Sequence, residues 1–178
     1  KESQAHALEH DEVHRLMQLG YVLCNDSQTA NGQRIGDPTE LAFVDLAHHY
    51  GKDELELRAK YPRIAENPFD SQRKMMATLH EIDGRLVMFV KGACDELLRR
   101  CEQIESEQGT RAITDEDRSA VLARNERFAE NGLRVLGLAY RIVDKRTLTL
   151  EDEDQMTFVG IASLMDPPRK ESAQAVAD

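Results

Sequence analysis

Apolar positions recur at helical spacing in the first segment, where Leu8, Val13, Leu16, Met17 and Leu19 predict a helix over Ala5 to Leu19. Gly20 is expected to interrupt it, ahead of a short apolar stretch, Tyr21 to Cys24. A polar run follows, in which Asn31-Gly32 marks a small hairpin. Asp37-Pro38-Thr39-Glu40 opens a second helix: Asp37 can cap it, proline suits its first turn, and Glu40 completes the capping pattern. Leu41, Val44, Leu46 and Ala47 carry that helix to about Tyr50, and Gly51 stops it. A short helix over Lys52 to Tyr61 ends before Pro62.

Two strands are predicted next, Arg73 to Glu81 and Arg85 to Lys91, joined by the hairpin dipeptide Asp83-Gly84. Asp95 to Cys101 is expected as a helix. Thr114-Asp115-Glu116-Asp117 resembles a capping box opening a long helix to about Asn131, which Gly132 ends. Leu133 to Val143 and Met156 to Leu164 are apolar enough for strands, with the acidic stretch Glu151 to Asp154 between them expected as a solvated loop. Asp166-Pro167-Pro168-Arg169 breaks the last strand, and a helical tail begins at Lys170. Strands arriving in a hairpin with helices inserted singly imply an α+β fold, an antiparallel sheet of about six strands flanked by helices.

Composition narrows the picture. A chain of 178 residues with 40% apolar content supports one core. No run of 18 apolar residues and no leader-like segment is present. The three cysteines, Cys24, Cys94 and Cys101, are odd in number and scattered, which argues against a disulfide framework and suits a reducing compartment. Cys94 and Cys101, seven apart, are expected to share a buried helix face, and no CxxC or nearby histidine supports a metal pair. The net charge of −10 disfavours nucleic acid as a partner, because phosphate contacts need a basic field. A polyanionic ligand therefore needs a local basic cluster working against the overall field.

Candidate chemistry is sparse. His6, His10 and His14 fall at helical spacing and are a possible zinc face, although a solvated polar face accounts for them more simply. His48-His49 ends a helix, where the dipole favours cations. No GxxxxGK[ST] phosphate loop, GxGxxG, GxSxG or HExxH occurs. What remains is Lys74, Lys91 and Arg134 at the edges of predicted strands, with Phe69 five residues before Lys74. An aromatic ring and converging cations suit a purine triphosphate: stacking for the base, point charges for the phosphates. On spacing alone, ordinary surface cations and a core phenylalanine explain the set more readily.

Order along the chain reverses that preference. Gly36-Asp37-Pro38-Thr39-Glu40, Phe69-Asp70-Ser71-Gln72-Arg73-Lys74, Lys91-Gly92-Ala93, Gly132-Leu133-Arg134-Val135-Leu136 and Asp166-Pro167-Pro168-Arg169 occur in sequence. Together they resemble the nucleotide-binding domain of P-type ATPases, in the branch of the calcium and sodium/potassium pumps. The resemblance runs from about Leu8 to the last residue. It implies that residues 1–165 form the nucleotide-binding domain. Residues 166–178, with Asp166 and Arg169, would form the hinge towards a phosphorylation domain.

The resemblance also implies roles. Glu40 matches the acid that meets the adenine amino group, and Phe69 the ring that stacks on adenine. Lys74 matches a lysine near the nucleotide, Lys91 the lysine deep in the pocket, Arg134 an arginine on the phosphates, and Leu136 an apolar lining residue. Ser71 stands where some members carry arginine, so one phosphate contact is missing or supplied by Arg73. Cys94 and Asp95 replace the Pro-Glu that often follows Lys-Gly-Ala. The family's Asp-Lys-Thr-Gly-Thr, Thr-Gly-Glu and Gly-Asp-Gly-x-Asn-Asp motifs are absent, as of an excised piece.

The expectation is therefore an ATP-binding domain, cytoplasmic within an integral membrane cation pump. It would take ATP with Mg²⁺, bind it without turnover when isolated, and be monomeric. Its partners would be the phosphorylation, actuator and transmembrane domains of the parent chain. Calcium is the first expectation for the transported ion. Two alternatives differ in class. One is a regulatory or interaction module that binds no nucleotide. The other is a phosphatase of the haloacid dehalogenase type, for which Asp115-Glu116-Asp117 has the spacing but opens a helix instead of following a strand.

Overall fold

The computed structural model describes residues 2–165, with side chains described from residue 13 onward. The 166–178 segment, with Asp166 and Arg169, and the side chains of His6 and His10 lie outside the described residues. Helix α1 (Glu2–Leu23) leads to a two-stranded hairpin, β1 (Gln28–Ala30) and β2 (Gln33–Ile35), turned by Asn31 and Gly32 at positive φ. Helices α2 (Pro38–His49) and α3 (Glu54–Lys60) follow. The main sheet then begins with β3 (Ala65–Asp70), β4 (Met75–Ile82) and β5 (Arg85–Gly92). After α4 (Cys94–Arg99) come the hairpin β6 (Cys101–Ser106) and β7 (Gly109–Ala112), and then α5 (Asp115–Glu130). The chain returns as β8 (Leu133–Val143) and, past a 3-10 turn at Leu150–Asp152, ends in β9 (Met156–Met165).

The α+β class holds, with seven strands in the order β3-β4-β5-β8-β9-β6-β7. All neighbours are antiparallel except β6 and β9, which run parallel. Four of the seven match strands placed from the sequence; the other three, β3, β6 and β7, carry polar and exposed positions and so lack an alternating apolar signal.

Period-two alternation gives the sheet two cores. Met76, Phe89, Leu138 and Val159 face Leu16, Leu19 and Tyr21 of α1, Phe43 of α2 and Tyr61. Met75, Ala77, Leu79, Met88, Val90 and Phe158 face Leu97 and Leu98 of α4, with Val121 of α5 packed alongside.

Three expectations need correction. Gly20 does not interrupt α1: the helix runs on to Leu23, and a Cβ at Gly20 would sit 2.6 Å from the Leu138 side chain and 3.1 Å from Phe89. Its role is close approach of helix to sheet, not termination. Cys101 is not on a helix with Cys94, because α4 ends at Arg99 and Cys101 opens β6; both thiols are nevertheless buried. The acidic stretch 151–154 is not wholly solvated. Asp152 bonds back to the Thr149 amide (2.7 Å), and Glu153 is fully buried against Arg73.

Candidate functional site

Asp37 caps α2 as expected, its Oδ1 accepting from the Thr39 amide at 2.8 Å. Glu40 does not close a capping box. Its Oε1 instead accepts from the Asp26 amide (3.1 Å) and from Lys91 Nζ (3.0 Å). A nearly buried ammonium is a stronger partner for the carboxylate than the exposed start of its own helix. The Lys91 side chain is 5% exposed and that of Glu40 15%. Phe43, one helical turn after Glu40, puts its ring 5.9 Å from Lys91 Nζ, and Tyr21 stacks on that ring at 4.3 Å. Tyr21 in turn donates to the Leu136 carbonyl at 2.9 Å.

Lys91 occupies the end of β5, paired with Met76 on one side and Leu138 on the other. Gly92 follows because nothing larger fits: a Cβ there would fall onto the Lys74 carbonyl and 2.8 Å from Met75 Cα. That close crossing lets the Ala93 amide donate to the Lys74 carbonyl at 3.0 Å. Lys74 itself sits at φ 59°, closing the turn after Asp70.

These elements enclose a cleft of ≈ 480 Å³. Of the residues singled out in the sequence, Glu40, Phe69, Lys74, Lys91, Arg134 and Leu136 line it together. Ser71 is exposed on the turn and is not among the lining residues. Arg73 is turned away, its guanidinium bound to Glu153. The Phe69 ring is 59% exposed, so it is not the core phenylalanine that spacing alone suggested. Arg134 donates to Thr39 Oγ1 at 2.8 Å and lies 3.6 Å from Asp37 Oδ1.

The cleft therefore has a cationic and a carboxylate side, one apolar wall and one exposed ring. Its residues are suited to holding a flat, charged ligand. Behind the floor, burial pushes the Cys24 thiol up against the opposing pull of Lys91, which makes it a poor nucleophile. Among the described residues, no three His, Cys, Asp or Glu side chains come together as a metal site.

The sequence profile of the family described as "P-type ATPase, cytoplasmic domain N" matches residues 12–171. The chain belongs to this family. Among relatives of the N domain, a calcium-transporting ATPase of Lactococcus lactis is 40% identical over 167 residues, covering 92% of this chain and 19% of the relative. A calcium-transporting ATPase of Listeria monocytogenes is 38% identical over 152 residues, 84% of this chain and 17% of that protein. A sodium/potassium exporting P-type ATPase of Schizosaccharomyces pombe is 36% identical over 167 residues, 86% and 16% respectively. The N domain thus spans less than a fifth of the length of these relatives.

Sequence reasoning missed Asp26 and Thr39 in the cleft and Phe43 behind it. Asp26 contributes a backbone amide, for which no side-chain motif exists. Thr39 was seen only as part of a helix start, yet its hydroxyl receives Arg134. Phe43 had a usable signal, since three-residue helical spacing places it on the face of Glu40. No helix of the described residues is long and apolar enough to cross a membrane.

Proposed function

We propose that the cleft binds ATP and holds it for phosphoryl transfer to an aspartate in another domain of a cation pump. The observation that carries this is the convergence of six side chains from well-separated stretches of sequence on one cleft. Phe69 offers an exposed face for the adenine ring. Glu40 has Oε1 engaged by Lys91 and Asp26, and its second oxygen accepts the adenine amino group, which disfavours the guanine carbonyl. Lys74 and Arg134 at the rim attract the phosphates, while Lys91 sets the charge of the floor. Mg²⁺ arrives on the phosphates, and the rest of its shell belongs to the parent chain. Transfer needs in-line geometry that this domain alone does not provide, so the isolated chain binds without turnover.

In the parent protein the domain works on the cytoplasmic side of the membrane, alongside phosphorylation, actuator and transmembrane domains. The calcium-transporting relatives support calcium as the ion carried.

Titration with millimolar ATP, followed by amide NMR, tests this. The Glu40, Phe69 and Lys91 signals are expected to shift, with no phosphate released. Lys91→Ala or Phe69→Ala is expected to remove binding. Unshifted signals would remove the nucleotide site and leave a module that binds no nucleotide.

A further inference from the structure

The Phe69 ring has little of its own to hold it. It is exposed, it belongs to neither core cluster, and β3 loses register with β4 between Asn67 and Asp70. The backbone at Pro68 and Phe69 is thus released from the ladder where the ring is presented. Something else must fix it, because a stacking surface is useful only when ordered in advance.

Arg73 supplies that fixation. Its Nη2 donates to the Pro68 carbonyl (3.1 Å), just before Phe69, and to the Met75 carbonyl (3.2 Å), just after Lys74. One guanidinium therefore ties both ends of the turn. Its Nε donates to both oxygens of Glu153, at 2.6 and 3.1 Å. Glu153 is fully buried, lies 80 residues away in sequence, and is held by Arg100 donating to its carbonyl (3.2 Å). Asn67 ties the other side, donating to the Thr149 carbonyl at 3.0 Å. Burying a carboxylate and a guanidinium is costly unless both are paired and hydrogen-bonded, and here both are.

Resting on the ATP reading above, we propose that Arg73 and Glu153 are positioning residues for base recognition. They hold the 68–75 turn so that Phe69 stands ready over the cleft. Neither touches the nucleotide, and Arg73 does not replace the phosphate contact missing at Ser71. A planar fork suits this arrangement, because Nε faces Glu153 while Nη2 faces the two carbonyls, and a lysine has a single terminal nitrogen from which to reach both sides.

The test uses Arg73→Lys, which keeps the charge beside Glu153 and removes the fork, with Glu153→Gln as a second variant. Each is compared with wild type by thermal melting, by the NMR order parameter of the Phe69 amide, and by titration with ATP and with inorganic tripolyphosphate. In folded Arg73→Lys the Phe69 order parameter is expected to fall below about 0.6. ATP affinity is expected to weaken roughly tenfold, within the range of base–aromatic stacking, while tripolyphosphate affinity stays unchanged. Equal loss of ATP and tripolyphosphate would make Arg73 a phosphate ligand and overturn the proposal. An unchanged Phe69 amide would overturn it too, independently of any ligand. A wild-type chain that binds neither compound sinks the ATP reading, while the amide measurement still decides the positioning role.

Discussion

At the floor of the cleft, Lys91 and Glu40 are almost out of solvent, pair with each other at 3.0 Å and rest on the stacked rings of Phe43 and Tyr21. At the rim, Phe69 at the irregular end of β3 and Lys74 in the turn that follows are exposed, with Arg134 half exposed beside them. The floor is stabilised by what it touches, so altering it disturbs the fold and the site together. The rim is ordered from behind, through backbone carbonyls and a distant buried carboxylate, so it can be altered with the fold intact. A single cleft thus contains one part whose chemistry is tied to stability and another whose chemistry is nearly separable from it.

The widest separation is expected from Glu40→Ala. It leaves Lys91 buried without its carboxylate and should cost about 3 kcal/mol in urea unfolding with an unchanged m-value. A loss below about 1 kcal/mol would show that water already solvates the pair and that the floor is no different from the rim.

Acid gives an effect of similar size, again on the buried side. His80 lies in β4, its Nδ1 donating to the Tyr61 carbonyl at 2.8 Å and its Nε2 accepting from Thr78 at 2.9 Å, the neutral tautomer. Burial pushes its pKa down to about 4, from 6.5. The unfolded chain then binds the proton more readily than the folded one, so the stabilising contribution is complete above pH 6.5 and declines as pH falls towards 4. The loss should approach about 3 kcal/mol from this residue. Unfolding free energies measured over that range check it, and His80→Gln should flatten the slope.

The smallest effect on stability belongs to the rim. Phe69→Ala should change the unfolding free energy by less than about 0.5 kcal/mol, as exposed substitutions do, while removing ATP binding. A melting shift as large as that of Glu40→Ala would end the distinction between floor and rim.

What could be foreseen divides along a similar line. Local signals were legible: the Asp37 cap, the Asp83-Gly84 hairpin and the Thr114 to Asp117 capping box all appear in the structure. Features created by distant partners were not. Gly20 carries a helix-breaking signal that packing against Leu138 overrides. Glu153 lies in an acidic run, and its ion pair in the interior is with Arg73, 80 residues earlier. The polar edge strands β3, β6 and β7 have too little buried surface to show a period. Of the site, six lining side chains, Glu40, Phe69, Lys74, Lys91, Arg134 and Leu136, were reached through the order of their motifs, while Ser71, named with them, lies off the lining. The supports behind them, Phe43, Tyr21, Arg73 and Glu153, depend on contacts that no short motif contains.

The strand order has a consequence for how such a domain can diversify. The cleft takes Lys91 from β5 and Arg134, Val135 and Leu136 from β8, which are neighbours in the sheet, yet α4, β6, β7 and α5 intervene between them in the chain. The β6–β7 hairpin lies at the opposite edge from β3, and its turn at Glu107 and Gln108 is exposed. None of the residues lining the cleft comes from this excursion beyond Ala93. That hairpin is therefore where the chain can lengthen, shorten or acquire new surface chemistry while the ligand cleft is inherited unchanged.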